Sequence, residues 1–89
     1  LNIAEIVLHH HEWWNGQGYP DALSGNDIPY LSQILHVCDA VDAMAQDRVY
    51  RSKLSDEDII NQLEKGMGKQ FNPEVAEEMI SYIKEGLLS

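Results

Sequence analysis

Apolar residues recur at three- and four-residue intervals through most of this chain, and that period predicts helices. Ile3, Ile6 and Val7, with Glu5 between them and His10 or His11 continuing the spacing, predict an amphipathic helix over residues 1 to 12 that ends in histidines. From Tyr30 to about Ala45 the positions Leu31, Ile34, Leu35, Val37, Cys38, Val41 and Met44 predict a well-buried second helix, with Pro29 suited to its first turn. Ser55 with Asp58 forms an approximate capping box for a third helix through about Lys65, which Gly66 and Gly68 end. Asn72 and Pro73 supply the cap and first position of a fourth, carrying Val75, Met79, Ile80 and Ile83 on one face and closing near Gly86.

Between the first two helices, residues 13 to 29 hold Gly16, Gly18, Pro20, Gly25 and Pro29 among Asn and Asp, which reads as a loop. Two adjacent tryptophans and Tyr19 favour an ordered one. No alternating strand pattern bounded by turns is present, so the fold class expected is all-α, without repeats or low-complexity tracts.

Charge narrows the classes of function. The net charge is −9 over 89 residues, and no Lys or Arg precedes Arg48. Nucleic-acid and anionic-membrane binders need clustered cations to replace counterions, so general binding of either kind is not expected. Positive charge first arrives as the cluster Arg48, Arg51 and Lys53, and the first half must draw any phosphate-binding charge from a metal or from elsewhere. The single cysteine, Cys38, excludes an internal disulfide, fits a reducing cytosol or a protein indifferent to redox state, and reads as buried filler within its helix. Apolar stretches fall short of the roughly 20 residues that cross a bilayer. A soluble, cytoplasmic segment is the expectation.

Three constellations can carry chemistry. His9, His10, His11 and Glu12 at a helix end, with Asp39 and Asp42 on the next helix, offer the imidazole and carboxylate ligands that divalent transition metals accept. Adjacent histidines on a helix point about 100° apart and suit different metals better than one. Asp39 and Asp42 are three apart and share a face, and a carboxylate amid apolar neighbours asks for compensation of its charge. The plain alternative is an exposed helix end with solvated carboxylates, and His36, one turn before Asp39, reads better as an exposed histidine than as a support for a ligand. Gly16-Gln17-Gly18-Tyr19-Pro20 forms a tight turn with an aromatic lip, a weak signal taken alone. In Asp47-Arg48-Val49-Tyr50-Arg51, guanidinium groups match phosphate oxygens, yet they serve equally well as cationic caps at the end of the preceding helix.

Taken together, these elements match one family. The run His10-His11-Glu12-Trp13-Trp14-Asn15-Gly16-Gln17-Gly18-Tyr19-Pro20-Asp21 resembles the signature of HD-GYP domains, bacterial metal-dependent phosphodiesterases that hydrolyse cyclic di-GMP. Ile28-Pro29, Asp39-Ala40-Val41-Asp42-Ala43-Met44, Asp47 to Arg51 and Gly68-Lys69-Gln70-Phe71-Asn72-Pro73 follow in family-like order. The resemblance implies an HD-type helical bundle with a long Gly-Tyr-Pro loop between the first two helices. It implies His10, His11 and Asp39 as ligands of a divalent metal cluster, iron or manganese by family expectation, with zinc and nickel left open by residue type. Asp39 and Asp42 are the catalytic carboxylates it implies, the latter orienting a ligand or water. Gly18, Tyr19, Pro20, Arg48 and Arg51 are implied on the side of a cyclic dinucleotide substrate.

Trp13, Asn15, Ala22, Val49 and Asn72 depart from the usual basic residue, Asp, Gly, Pro and Asp, and put loop geometry in question beside Ala22 and Val49. The larger departure is the His-Asp dyad that names the superfamily, which belongs to a preceding helical half. Residues 1 to 89 are therefore expected to be the C-terminal portion of one HD-GYP domain, inactive alone, which self-associates or pairs with the missing half through exposed apolar faces. The alternative is a non-catalytic HD-GYP module that binds nucleotide or a partner protein.

Overall fold

Four helices carry the chain in the computed structural model, which describes residues 2 to 86: α1 (Ile3–Leu8), α2 (Tyr30–Met44), α3 (Asp56–Gly66) and α4 (Pro73–Lys84). The architecture is all-α, and no strand occurs among the described residues. Local chemistry sets the boundaries. The side chains of Asn2, Ser55 and Asn72 cap α1, α3 and α4 by accepting the backbone N–H of Glu5, Asp58 and Glu74, with Pro73 opening α4. Pro29 is the cap of α2, one residue outside the helix whose first turn it was expected to join, and its carbonyl takes the N–H groups of Ser32 and Gln33.

The core lies where α2, α3 and α4 meet. Val37 and Val41 from α2 pack with Ile59 and Leu63 from α3 and with Val75, Ala76, Ile80 and Ile83 from α4, all buried, while Phe71 closes the end. Burying each such aliphatic side chain contributes about 1.5–3 kcal/mol. Phe71 lies so close to Gly66 that a Cβ there would come within 2.6 Å of its ring, so the last residue of α3 has to be small.

Three expectations need correction. The first helix stops at Leu8, and the histidines occupy the turn beyond it. Cys38 is exposed. Within α2, Val37 and Val41 are the buried apolar residues, whereas Leu31 remains 43% exposed. The physical reason is common to the last two: α2 carries apolar residues over more of its circumference than α3 and α4 cover. Tyr30, Ile34, Cys38, Val75, Met79 and Tyr82 line an open apolar groove between α2 and α4, and Ile3, Val7 and Leu8 of α1 also face outward.

Candidate functional site

A polar stripe on α2 ties the histidine turn to the helix. Ser32, His36 and Asp39 recur every three or four residues and so lie along one line of the helix surface. Each meets the α1 segment in order. The Ser32 hydroxyl donates to the Ile6 carbonyl at 2.7 Å, His36 Nδ1 donates to the His10 carbonyl at 2.8 Å, and Asp39 Oδ2 stands 3.5 Å from His10 Nε2. The four-residue step from Ile6 to His10 matches the step from Ser32 to His36, so the two segments run side by side in register.

Hydrogen-bond roles then follow from which atoms are able to accept. A carbonyl only accepts, so His36 carries its proton on Nδ1 and its Nε2 is left to accept from Gln70 Nε2 at 3.2 Å. His10 Nδ1 likewise donates to the Val7 carbonyl, which turns Nε2 toward Asp39. Burial pushes the His36 imidazole below its usual pKa, in keeping with a neutral ring. His36 is therefore half-buried and bonded at both ring nitrogens, contrary to the exposed histidine expected, because the polar stripe of α2 is covered by the turn after α1.

Two of the three expected ligands, His10 and Asp39, fit a shared divalent transition metal. Atoms bound to one ion through bonds of about 2.0–2.2 Å lie roughly 3.0–3.5 Å apart at octahedral and tetrahedral angles. His10 Nε2 and Asp39 Oδ2 meet that spacing, and a ligand imidazole whose second nitrogen donates to a carbonyl is the usual arrangement around such ions. His11 lies beside His10, its ring centroid 3.9 Å away, but stacks on Tyr19 at 4.9 Å with 18° between the planes and does not converge with His10 and Asp39 as a three-donor group.

The loop that carries Tyr19 is held by Glu12. This carboxylate is 2% exposed and accepts from the backbone N–H of Asp21 at 2.9 Å, that of Leu23 at 3.0 Å and the Nδ1 of His9 at 3.1 Å. Burial acts to raise its pKa, but the Asp21, His9 and Leu23 donors outweigh burial and hold it below the ordinary carboxyl value. His9 Nε2 reaches to 3.8 Å from Asp21 Oδ2, and His9, Glu12 and Asp21 are the one group of three metal-capable donors that converge among the described residues, although both Glu12 oxygens already accept N–H groups. Gly18 packs against the backbone from His11 to Trp13, where a Cβ would come within 2.4 Å of the His11 carbonyl oxygen. The Tyr19 N–H returns to that same oxygen, and the bond from Tyr19 to Pro20 is cis. Backbone bonds from Trp14 to Gln70 and from Asn15 to Lys69 pin the loop to the turn before α4. Ala22, where the family often has Gly, adopts φ 53° in the left-handed region.

The remaining site residues lie farther along α2 and just beyond its end. Asp42 is exposed one turn after Asp39 and accepts from Gln46 Nε2 at 3.0 Å, with no contact to the histidines. Arg48 and Arg51 exchange backbone hydrogen bonds of 2.8 and 3.2 Å across a tight turn. The Arg51 guanidinium donates to the carbonyls of Ala43 and Ser52, which is the helix-capping alternative, while Arg48 is exposed and makes no side-chain bond among the described residues.

The geometry of this turn and stripe coincides with a match to known proteins: residues 1–75 fit the family model described as HD domain. The chain belongs to the HD domain family. A cyclic di-GMP phosphodiesterase of Thermotoga maritima is 40% identical to this HD domain chain over 82 residues, covering 92% of the chain and 22% of the relative. A 3'3'-cGAMP-specific phosphodiesterase 2 of Vibrio cholerae is 37% identical over 81 residues, covering 91% and 16%. The crystal structure of a cyclic GMP-AMP specific phosphodiesterase from V. cholerae shares the fold at a TM-score of 0.74, with 24% identity over 92% of this chain and 18% of that one. The HD domain chain thus spans about a fifth of the length of these relatives. No helix among the described residues is long and apolar enough to cross a membrane.

Sequence reasoning missed His36, Gln70 and the loop-holding role of Glu12. The available signal for the first was polar residues at helical spacing, Ser32, His36 and Asp39, inside an otherwise apolar run.

Proposed function

We propose that this chain is the C-terminal portion of an HD-GYP domain in a metal-dependent phosphodiesterase that hydrolyses cyclic di-GMP or a related cyclic dinucleotide in bacterial signalling. The observation that carries the reading is the approach of His10 Nε2 to Asp39 Oδ2 at 3.5 Å, with the other His10 nitrogen tied to the backbone. The names of the relatives support the substrate class.

In this reading His10, His11 and Asp39 hold divalent metals, iron or manganese by family expectation. Such metals, when bound, supply an activated water at neutral pH and a clamp on phosphoryl oxygens. His10 offers Nε2, and Asp39 brings negative charge from the facing helix. Asp42, one turn on, orients a ligand or water. Arg48, whose side chain makes no bond among the described residues, offsets charge on the substrate phosphate, while Arg51 holds the Arg48 turn against the end of α2. Gly18, Tyr19 and Pro20 form one lip of the substrate cleft, with the Tyr19 ring stacked on His11. The preceding helical half completes the site and covers the outward apolar faces of α1 and α2, in a cytoplasmic protein.

The test uses the full-length protein that carries this chain. Asp39→Ala is expected to lose metal retention, measured by elemental analysis, and cyclic di-GMP turnover with it. Arg48→Ala is expected to keep the metal and lose about 10²–10³-fold in turnover, the scale set by deleting one preorganised charge-stabilising donor. Full metal content and turnover in Asp39→Ala refutes the reading, and metal retention without turnover in the unmutated protein favours a non-catalytic binding module.

A further inference from the structure

A metal ligand is only as well placed as the backbone beneath it, and the backbone of His10 is in a turn outside any helix. Its main-chain carbonyl has a partner from α2: His36 Nδ1 at 2.8 Å. His36 sits one turn before Asp39, so the same helix surface grips the main chain of His10 and faces its side chain at 3.5 Å. His36 is itself held from the far side, where Gln70 Nε2 donates to its Nε2 and Phe71 lies against its ring at 5.5 Å between centroids. Gln70 is fixed in turn, since its carbonyl accepts the Trp14 N–H.

We infer that His36, oriented by Gln70, is a positioning residue that fixes the main chain of His10 so that Nε2 stands at ion-sharing distance from Asp39. The inference rests on the metal-site reading of His10 and Asp39 and extends it to groups that touch no ion. Its physical content is the direction of one bond. An N–H at position 36 must point at the His10 carbonyl, and an asparagine side chain presents an N–H near the place of Nδ1, whereas alanine presents none. Without that bond His10 keeps its own Nδ1 bond to Val7, but the turn carrying it is free to shift relative to α2, and the pairing of Nε2 with Asp39 loosens.

Cobalt(II) binding to the full-length protein that carries this chain, followed by its visible absorption bands and by competition with a chelator, tests this without reference to turnover. His10→Ala and Asp39→Ala must weaken binding; if neither does, the metal-site reading fails and this inference falls with it. Given that they do, His36→Ala is expected to weaken cobalt affinity about 10–100-fold and to alter the absorption bands, the usual effect of removing a group that orients a ligand. His36→Asn is expected to restore affinity to within a few-fold. Equal affinity in His36→Ala, or failure of His36→Asn to rescue while melting at the temperature of the unmutated protein, overturns the inference and leaves the metal site standing.

Discussion

Removing the Glu12 carboxylate should destabilise the chain more than any other single change to its loop. Glu12→Ala strands the N–H groups of Leu23 and Asp21 and the Nδ1–H of His9, which now meet the carboxylate at 3.0, 2.9 and 3.1 Å. A buried donor left without a partner costs about 1–3 kcal/mol. Leu23 is half-buried and His9 is buried, so both lie near that range, whereas Asp21 is exposed and water replaces most of its loss. The sum is about 2–6 kcal/mol, against a total stability on the order of 4–13 kcal/mol for a domain of this length. Glu12→Gln keeps one acceptor oxygen and turns an N–H₂ toward donors, for a loss of about 2 kcal/mol. Urea titration followed by the fluorescence of Trp13 and Trp14 measures both, with the change read from the midpoint at constant slope. A loss below about 1 kcal/mol in Glu12→Ala would show that the loop is not held by this carboxylate.

Three further outcomes follow from the loop and the end of α2. Gly18→Ala is expected to displace the loop and cost more than about 2 kcal/mol in the same titration, because the new Cβ meets backbone atoms at 2.4 Å that have nowhere to retreat. Ala22→Gly is expected to stabilise by about 0.5–1 kcal/mol: relief of the left-handed backbone, about 1–2 kcal/mol, exceeds the entropy that glycine returns to the unfolded chain. Arg51→Ala is expected to cost about 1 kcal/mol through its bonds to Ala43 and Ser52 while leaving cobalt affinity unchanged; a loss of affinity would place Arg51 in the metal site instead.

What could be read from the sequence was whatever depends on spacing within one element. The caps Ser55 and Asn72 and the apolar faces of α3 and α4 were legible because a helix end and a helix stripe are local patterns. Cys38 and Leu31 were misjudged because periodicity says which side of a helix is apolar and not whether another element covers it. That His10 and Asp39 would face each other was legible from residue type and order, and they meet at 3.5 Å. The work of Glu12 was not, since its partners are mainly backbone N–H groups, which every residue but proline carries. His36 shows the same blindness: its worth lies in a carbonyl 26 positions away. For Arg51, phosphate contact and helix capping were both open from the sequence, and its guanidinium lies on the carbonyls.

The matched steps along α2 and the α1 segment also limit how the gene can change in length. A residue inserted between Ser32 and Asp39 would rotate everything after it by about 100° about the helix axis. Ser32 would still meet Ile6, but Asp39 would swing away from His10. A residue inserted between Ile6 and His10 would part the same pair from the other side. Insertions at the exposed turn around Val49 disturb neither step. Chains that keep this chemistry can therefore vary in length after α2 far more readily than within it.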